Sequence, residues 1–359
     1  MYLKQLTLTQ YKNISSKTFD FSPKINCFIG DNGIGKSNII DSIYHLAFGK
    51  SYFNPIAVQN IQNHKDFFVI EGRFERMGKK EKIICSLKKG QKKIIKRNGK
   101  TYKKLSEHIG LIPSVIISPA DSDLISDGSS ARRKFMDGVI GQTNTAFLKD
   151  LLEYNNIISQ RNALLKFFAL NNTFDETTLN IYDDQLIKRS DSVYKKRLTF
   201  MKSFVPVFNY RYKNISEGKE SISLEYVSQL HEKSHEELLK NSLSKDRILQ
   251  YTTQGVHKDD INFLLEGQPI KKFGSQGQQK TFLVAMKFAQ FDFLKEQIGA
   301  PPILLLDDAF DKLDQKRVTQ IVSLVDQEDF GQIFITDTHE QRTIDALGES
   351  KSNYQIFKI

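Results

Sequence analysis

Apolar and polar positions alternate through Leu3 to Tyr11 and again through Lys17 to Phe21, which predicts two strands at the start of the chain. Ile25 to Ile29 is apolar throughout and predicts a buried strand, with a helix following from Asn38 to Phe48. Beyond a loop around Asn54-Pro55, the segments Phe67 to Glu75, Lys82 to Leu87 and Lys92 to Arg97 alternate again. Turns at Gly78, Gly90 and Asn98-Gly99 make these an antiparallel meander. Val115 to Ser118 is a short β-branched strand, followed by Pro119 and the polar stretch Asp121 to Ser130.

From about Arg132 the period becomes helical. Leu148, Leu151, Leu152, Ile158 and Leu165 share one helix face, and Leu179, Tyr182, Leu186 and Val193 share another, with a turn at Asn171-Asn172 between two antiparallel helices. Asn155 and Asn162 stand where a strict heptad stays apolar, so the pattern predicts a short helical arm and no long coiled coil. The polar segment Ser216 to Lys245 closes this insertion, with strand character only at Ser221 to Tyr226. Alternating texture then resumes with a strand at Ile261 to Leu265 and a helix at Gln278 to Gln297, whose buried face carries Phe282, Ala285, Met286, Ala289 and Phe293. An apolar strand at Ile303 to Leu306, a helix near Lys316 to Val325 and strands at Ile333 to Thr336 and Tyr354 to Ile359 complete the chain. The expected class is α/β, with a mixed sheet core and an antiparallel β subdomain built from residues 1–122 and 246–359, and an α-helical arm inserted at 123–245.

Composition narrows the setting. No apolar run approaches the roughly 20 residues of a membrane span, so the expected location is the cytoplasm, without a membrane partner. Cys27 and Cys85 sit among apolar neighbours and read as core residues. Net charge is 52 − 42 = +10, and Arg73 to Lys104 alone holds fourteen Lys/Arg against two acids, 14 − 2 = +12. A density of this kind suits a polyanion, nucleic acid first; the competing reading is a solubilising face on an exposed sheet. Lys92, Lys93, Lys96 and Arg97 are the DNA-binding candidates within it.

Candidate chemistry begins at Gly30-Asp31-Asn32-Gly33-Ile34-Gly35-Lys36-Ser37, a G-x-x-x-x-G-K-S loop between strand and helix. Its glycines let backbone N–H groups wrap a phosphate chain, Lys36 supplies charge for the β- and γ-phosphates, and Ser37 offers a hydroxyl to Mg²⁺ at a helix N-terminus. The ligands expected are ATP and Mg²⁺. Ile303 to Leu306 ends in Asp307 and Asp308, the first placed to hold Mg²⁺ and the second to act as base toward water. Ser275, Gln276, Gly277 and Gln278 open another helix and form a second anion site without a lysine. One chain has no evident use for two such sites. A head-to-tail pair does, because this segment of one subunit can close over the γ-phosphate bound by the other.

These motifs, with Phe310-Asp311-Lys312-Leu313-Asp314 after the carboxylates, resemble the ATP-binding-cassette ATPases of chromosome maintenance and repair. The resemblance is closest to the RecF family of recombinational repair proteins, and it runs from Leu3 to His339 through Arg132-Arg133, Arg161-Asn162 and Gly255 to Asp260. It departs at Ala120, Asp127 and Ser129, where the family carries an acid, a glycine and a proline, and at Asp311 and Lys312. The resemblance implies an ATPase head with an inserted arm that dimerises on ATP. It implies binding to double-stranded DNA and to gapped DNA, and work with RecR and RecO to load RecA, in repair, replication restart and the SOS response.

By the same resemblance His339 is the histidine that touches the γ-phosphate and Asp314 a dimer-facing loop acid. Asp308 stands where many cassette ATPases have Glu; its shorter side chain implies slow hydrolysis suited to a switch, and the resemblance implies that DNA stimulates it. Lys12 and Asn13 either approach the nucleotide or shape a turn, and Arg132 and Arg133 either meet DNA phosphates or pin the arm. No glutamine occupies the Val115 to Asp121 junction, where related ATPases often use one for Mg²⁺, and Asp121 is the candidate to contribute there instead. The alternative function, the ATPase subunit of a membrane transporter, ordinarily has far fewer residues between phosphate loop and signature and no such arm.

Overall fold

The computed structural model describes residues 1–76, 78–218, 220–308, 330–338, 341 and 354–359. In chain order the first elements are β1 (Tyr2–Tyr11), β2 (Ile14–Asp20), β3 (Ile25–Ile29), α1 (Lys36–Phe48), β4 (Phe67–Arg76), β5 (Lys79–Lys88), β6 (Ile94–Arg97), β7 (Lys100–Thr101) and β8 (Ser114–Ile117). Next come α2 (Asp123–Ser126), α3 (Ser129–Thr143), α4 (Thr145–Asn171), α5 (Glu176–Ser216), β9 (Ile222–Val227) and α6 (His235–Leu249). The remainder is β10 (Asp260–Leu265), β11 (Gln268–Pro269), α7 (Ile270–Phe273), α8 (Gln276–Ile298), β12 (Ile303–Leu306), β13 (Ile333–Asp337) and β14 (Tyr354–Lys358). The predicted helix near Lys316 to Val325 lies outside the described residues.

Contacts divide the chain into two compact units, Met1–Asp121 with Gln290–Ile359, and Ser122–Ala289. The first contains an antiparallel sheet of order β2-β1-β4-β5-β6-β7 and a parallel sheet of order β14-β3-β13-β12-β8. Strands β3, β12 and β13 are buried at every position, as their unbroken apolar runs require of parallel strands covered on both faces. In β5 the alternation is strict: Ile83, Cys85 and Leu87 are buried while Lys80, Lys82 and Lys88 are exposed. Leu3, Leu6 and Leu8 of β1 pack with Ile39, Ile43 and Leu46 of α1 in the same core. An aromatic cluster continues it, with Phe21 edge-on to Phe334 at 4.9 Å and Phe28 stacked on Phe357 at 5.2 Å. Cys27 and Cys85 are free and buried in this unit, and burial pushes both thiols up to about 12.

The second unit is mainly helical. α4 and α5 form the arm, joined at Asn172, which takes φ 51°, and reopened by Asp175, whose side chain accepts from the N–H groups of Thr177 and Thr178. α6 was hidden in the stretch read as polar closure, although Ser234 and Glu237 spell a capping box. Its buried face includes His235, Ser242 and Asp246 beside Leu238 and Leu239, so an apolar periodicity does not announce it. Residues 246–289, grouped from sequence with the head, make their strand and ion pairs inside this second unit. β10 pairs with β9, and two buried arginines bind the segment to the helices. Arg161 is fully buried and donates to Asp183 at 2.6 Å, Asp246 at 2.8 Å and Thr252 Oγ1 at 3.0 Å. Arg197 donates to Asp137 at 2.9 and 2.8 Å, to Asp259 at 2.7 Å and to the Val256 carbonyl at 2.6 Å. Among the described residues no helix is long and apolar enough to cross a membrane.

Two histidines complete that polar core. His235 Nδ1 lies 2.6 Å from Ser190 Oγ, and His257 lies 2.8 Å from Tyr154 OH through Nδ1 and 3.0 Å from the Thr252 carbonyl through Nε2. Burial lowers both pKa values to about 4. Folded values below the ordinary 6.5 mean that, as pH falls, the unfolded chain takes up protons that the fold refuses, and stability is lost. Urea unfolding of the intact chain is expected to lose about 1.4 kcal/mol per pH unit per histidine between roughly pH 6 and pH 4. His235→Gln should remove the share of one histidine, about 1.4 kcal/mol per pH unit, from a slope to which buried His45 and His108 also contribute.

Candidate nucleotide-binding site

The loop from Gly30 to Gly35 leaves β3 and enters α1, and its backbone explains its glycines. Gly30 takes φ 157° and an added Cβ would lie 2.8 Å from Ile34 Cδ1 and 3.1 Å from the Ile359 carbonyl oxygen. Gly35, the N-cap of α1, takes φ 119°, and a Cβ there would meet Asn13 Oδ1 at 2.8 Å. Asp31, Asn32 and Gly33 form the exposed apex. Lys36 is buried; its Nζ donates to the carbonyls of Gly30 at 2.7 Å and Asp31 at 2.8 Å, so the cation lies within the loop's own curve. No acid stands in the first turn of α1, which leaves its positive end to an external anion.

The parallel sheet brings the acids to this loop. β13 lies between β3 and β12, with Asp337 opposite Ile29 and Leu306 opposite Ile335, so the loops leaving these strands share one edge. Asp307 is buried, and burial raises its carboxyl to about 6, with the Ser37 hydroxyl pulling the other way. A hydroxyl and a carboxylate meeting at one spot form a hard oxygen set of the kind Mg²⁺ takes. Thr336 Oγ1 donates to Asp307 Oδ1 at 3.0 Å, lies 3.4 Å from Asp308 Oδ1 and accepts the Asp308 N–H at 2.8 Å. Asp308 is only half-buried and takes φ 44°, a left-handed backbone rare outside glycine. The strand end thus gives two adjacent carboxyls different settings: Asp307 is buried, and Asp308 is half-buried on a left-handed backbone, with Thr336 Oγ1 beside both.

Thr336 was not singled out from sequence, because a threonine ending an apolar strand has no local signal. The set behind α1 was missed for the same reason. Asp41 accepts from Tyr11 OH at 2.7 Å, Ser51 Oγ at 2.6 Å and Tyr52 N–H at 2.6 Å, and pairs with Lys12 Nζ at 2.6 Å. Burial opposes its ionisation, but Lys12 and these donors hold its carboxyl below the usual range. Lys12 therefore anchors α1 from behind. Asn13 sits on the loop itself, donating to the Ile34 carbonyl at 3.0 Å and accepting from Asn38 Nδ2 at 2.8 Å. Asp121 accepts from Tyr52 OH at 2.5 Å and from Ser118 N–H at 2.8 Å, so both its oxygens are engaged in holding the chain after β8. Thr338 donates its N–H to Asp337 at 2.7 Å, while His339 and Asp314 lie outside the described residues.

The segment read from sequence as a second anion site belongs to the other unit. Ser275 caps α8 in a reciprocal box, its N–H donating to Gln278 Oε1 at 2.7 Å and its Oγ accepting the Gln278 N–H at 3.2 Å. Ser275 and Gln276 are exposed, and the serine hydroxyl keeps its own hydrogen to donate.

The basic candidates divide. Lys96 lies opposite Ile84 on the outward face that also carries Lys80 and Lys82, and Lys92 is exposed in the preceding turn. Lys93 donates to the Gly49 carbonyl beneath the sheet, and Arg97 grips Glu81 at 2.6 and 3.0 Å, its hydrogen bonds holding that acid below the usual range. The expected single lysine face thus loses Lys93 and Arg97, since neighbours along a strand point to opposite sides. Arg132 forks onto Asp260 at 2.7 and 2.9 Å, and Arg133 donates to the Asp259 carbonyl at 2.6 Å. Of their two readings, pinning is the one with partners in view, and it acts within the second unit.

Known proteins match the chain over nearly its whole length. The family model "RecF/RecN/SMC N terminal domain" matches residues 2–358. A Flavobacterium johnsoniae protein named DNA replication and repair protein RecF is 56% identical over 359 residues, covering 100% of both chains. A Bacteroides fragilis protein of the same name is 47% identical over 360 residues, covering 100% of this chain and 96% of its own. The solved structure of "the recombination mediator protein RecF-ATPrS in RecFOR pathway" superposes with a TM-score of 0.90 at 28% identity, covering 100% of this chain and 96% of that one. An Smc head bound to the C-winged helix domain of ScpA gives a TM-score of 0.57 at 15% identity over 96% of this chain and 92% of its own, a likeness of fold alone.

Thr336→Val removes the hydroxyl shared by Asp307 and Asp308 at constant volume. Turnover of ATP should fall about tenfold or the Mg²⁺ requirement rise by a similar factor, as for outer partners of metal-holding carboxylates. Thr336→Ser should restore both, measured by steady-state hydrolysis against Mg²⁺ concentration.

Proposed function

This chain belongs to the RecF family within the RecF/RecN/SMC group of ATPases, and from that premise we propose an ATP-switched DNA-binding protein of recombinational repair. The observation that carries the proposal is the pair of half-sites, a loop with Lys36, Ser37 and Asp307 in one unit and an exposed, self-capped Ser275 in the other. Each supplies what the other lacks. The first offers cationic and metal-binding groups, and the second offers a hydroxyl and a helix N-terminus for a γ-phosphate. In a head-to-tail homodimer the two meet across the interface, so ATP itself completes the contact. We propose the same role for residues 246–289: although they pack with the arm, they complete the ATPase head functionally by carrying the trans segment.

Lys36 would leave the Gly30 and Asp31 carbonyls for phosphate oxygens, an exchange of acceptors that keeps its charge buried. Mg²⁺ held by Ser37 and Asp307 would supply charge neutralisation of the β- and γ-phosphates. Asp308, half-buried beside Thr336, accepts a proton from the attacking water. As the shorter carboxylate it reaches that water less well than Glu, which makes hydrolysis the slow, resetting step. His339 is proposed to touch the γ-phosphate and Asp314 to face the partner. DNA lies on the outward lysine face, recognised through phosphates without sequence preference. The names of the relatives support repair and the RecFOR pathway as the setting; junction preference, RecO and RecR as partners, RecA loading and the cytoplasm are proposed on that support.

Asp308→Asn is expected to leave ATP binding and ATP-driven pairing intact while turnover drops about 100-fold or more, read by steady-state hydrolysis beside sedimentation. Joint reversal of Lys80, Lys92 and Lys96 to Glu should weaken duplex binding and reduce the slope of log affinity against log salt by about one per lost phosphate contact. Unaltered affinity across a salt series would assign the lysines to a solvated face.

A further inference from the structure

The cap of α8 is tied to the arm by one acidic side chain. Gln278 accepts from Ser275 N–H through Oε1 and donates from Nε2 to Glu220 Oε1 at 2.9 Å. The second Glu220 oxygen accepts from Tyr212 OH. Tyr212 is fully buried in the last turns of α5, with its ring edge-on to Phe282 of α8 at 6.2 Å. Burial, then Glu220, pushes the phenol's pKa up, so it stays a donor. Glu217 at φ 58° and Gly218 at φ 71° end α5 in left-handed turns and fold the chain back, which sets Glu220 beside the start of α8.

The chemistry of an amide explains why an acid stands here. A glutamine side chain has an oxygen that only accepts and a nitrogen that only donates, and the two exchange places when the amide flips. An ionised carboxylate only accepts, so Glu220 fixes the Gln278 nitrogen toward itself and the oxygen toward Ser275. With the amide reversed, its NH₂ would confront the Ser275 N–H and the reciprocal box would open. The helix does not need this contact to exist: it runs from Gln276 to Ile298, and its first turn also holds through Gln279 N–H on the Ser275 carbonyl at 2.9 Å.

We infer that Glu220 is a positioning residue that locks the Gln278 amide so that Ser275 presents its hydroxyl outward, linking the end of arm helix α5 to ATP-driven pairing. The inference rests on the reading of Ser275 to Gln278 as the second half of a shared ATP site. A shift at the end of α5 would reach Ser275 through Tyr212, Glu220 and Gln278.

The test uses Glu220→Gln in the full chain, which keeps size and exchanges one acceptor oxygen for a donor nitrogen. Three quantities are read: ATP affinity of the dilute chain, thermal midpoint without nucleotide, and the protein concentration at half-pairing with ATP by sedimentation. Affinity and thermal midpoint should hold while the pairing concentration rises about tenfold, the worth of roughly one charge-assisted hydrogen bond. Glu220→Ala should shift pairing in the same direction, and Tyr212→Phe should add nothing in that background. Pairing of Glu220→Gln at the unaltered concentration overturns the inference, as does a loss of pairing that merely follows a fall in thermal midpoint and ATP affinity. If Glu220→Gln does not fold, Tyr212→Phe alone decides by the same three readouts. Ser275→Arg separates the two levels: if it pairs with ATP as the unaltered chain does, the shared-site reading falls; if it fails to pair while Glu220→Gln pairs normally, only the role of Glu220 falls.

Discussion

The parallel order β3-β13-β12 holds the candidate nucleotide site together. It brings the loop that enters the first helix to the end of a strand from much later in the chain, where burial raises the Asp307 carboxyl to about 6. The insertion of β13 also brings Thr336 beneath both carboxyls. Asp307 is buried while Asp308 is half-buried on a left-handed backbone, so one dipeptide provides two different chemical environments. The glycines at 30 and 35 follow from the same crowding, because the end of the chain and Asn13 occupy the space a side chain would need.

Much of this was legible because it is local. A buried parallel strand, a glycine loop and an amphipathic helix follow one another within a short stretch, and Ile303 to Asp308 announces itself by an apolar run cut off by acids. The meander was legible by alternation, but the direction of its lysines was not: Lys96 and Arg97 are neighbours that point to opposite sides. Thr336, Asp41 and Glu220 were invisible for a different reason. Each acts only through partners remote in sequence, so no periodicity or motif marks it. α6 shows the limit from another side, since a helix that buries His235 and Asp246 lacks the apolar stripe by which helices are read.

The polar interior of the second unit accounts for the way residues 246–289 pack. Arg161 and Arg197 are both buried with carboxylates, and removing either partner would strand a charge, a penalty of several kcal/mol in general. Such networks hold a particular arrangement more firmly than an apolar core of similar size, because a shift must break directed bonds. The segment leading to α8 is thereby fixed to the arm helices, and the signature serine inherits that order through Gln278 and Glu220.

The central claim is that two chains share each ATP, and mixing two variants tests it most directly. Lys36→Ala disables the loop and Ser275→Arg blocks the trans segment, so neither protein alone can assemble an intact site. An equimolar mixture can assemble one, from the loop of the Ser275→Arg chain and the serine of the Lys36→Ala chain. Sedimentation with ATP should show each variant unpaired alone and paired in the mixture. Pairing by either variant alone, or no pairing in the mixture of two folded chains, would contradict the shared site.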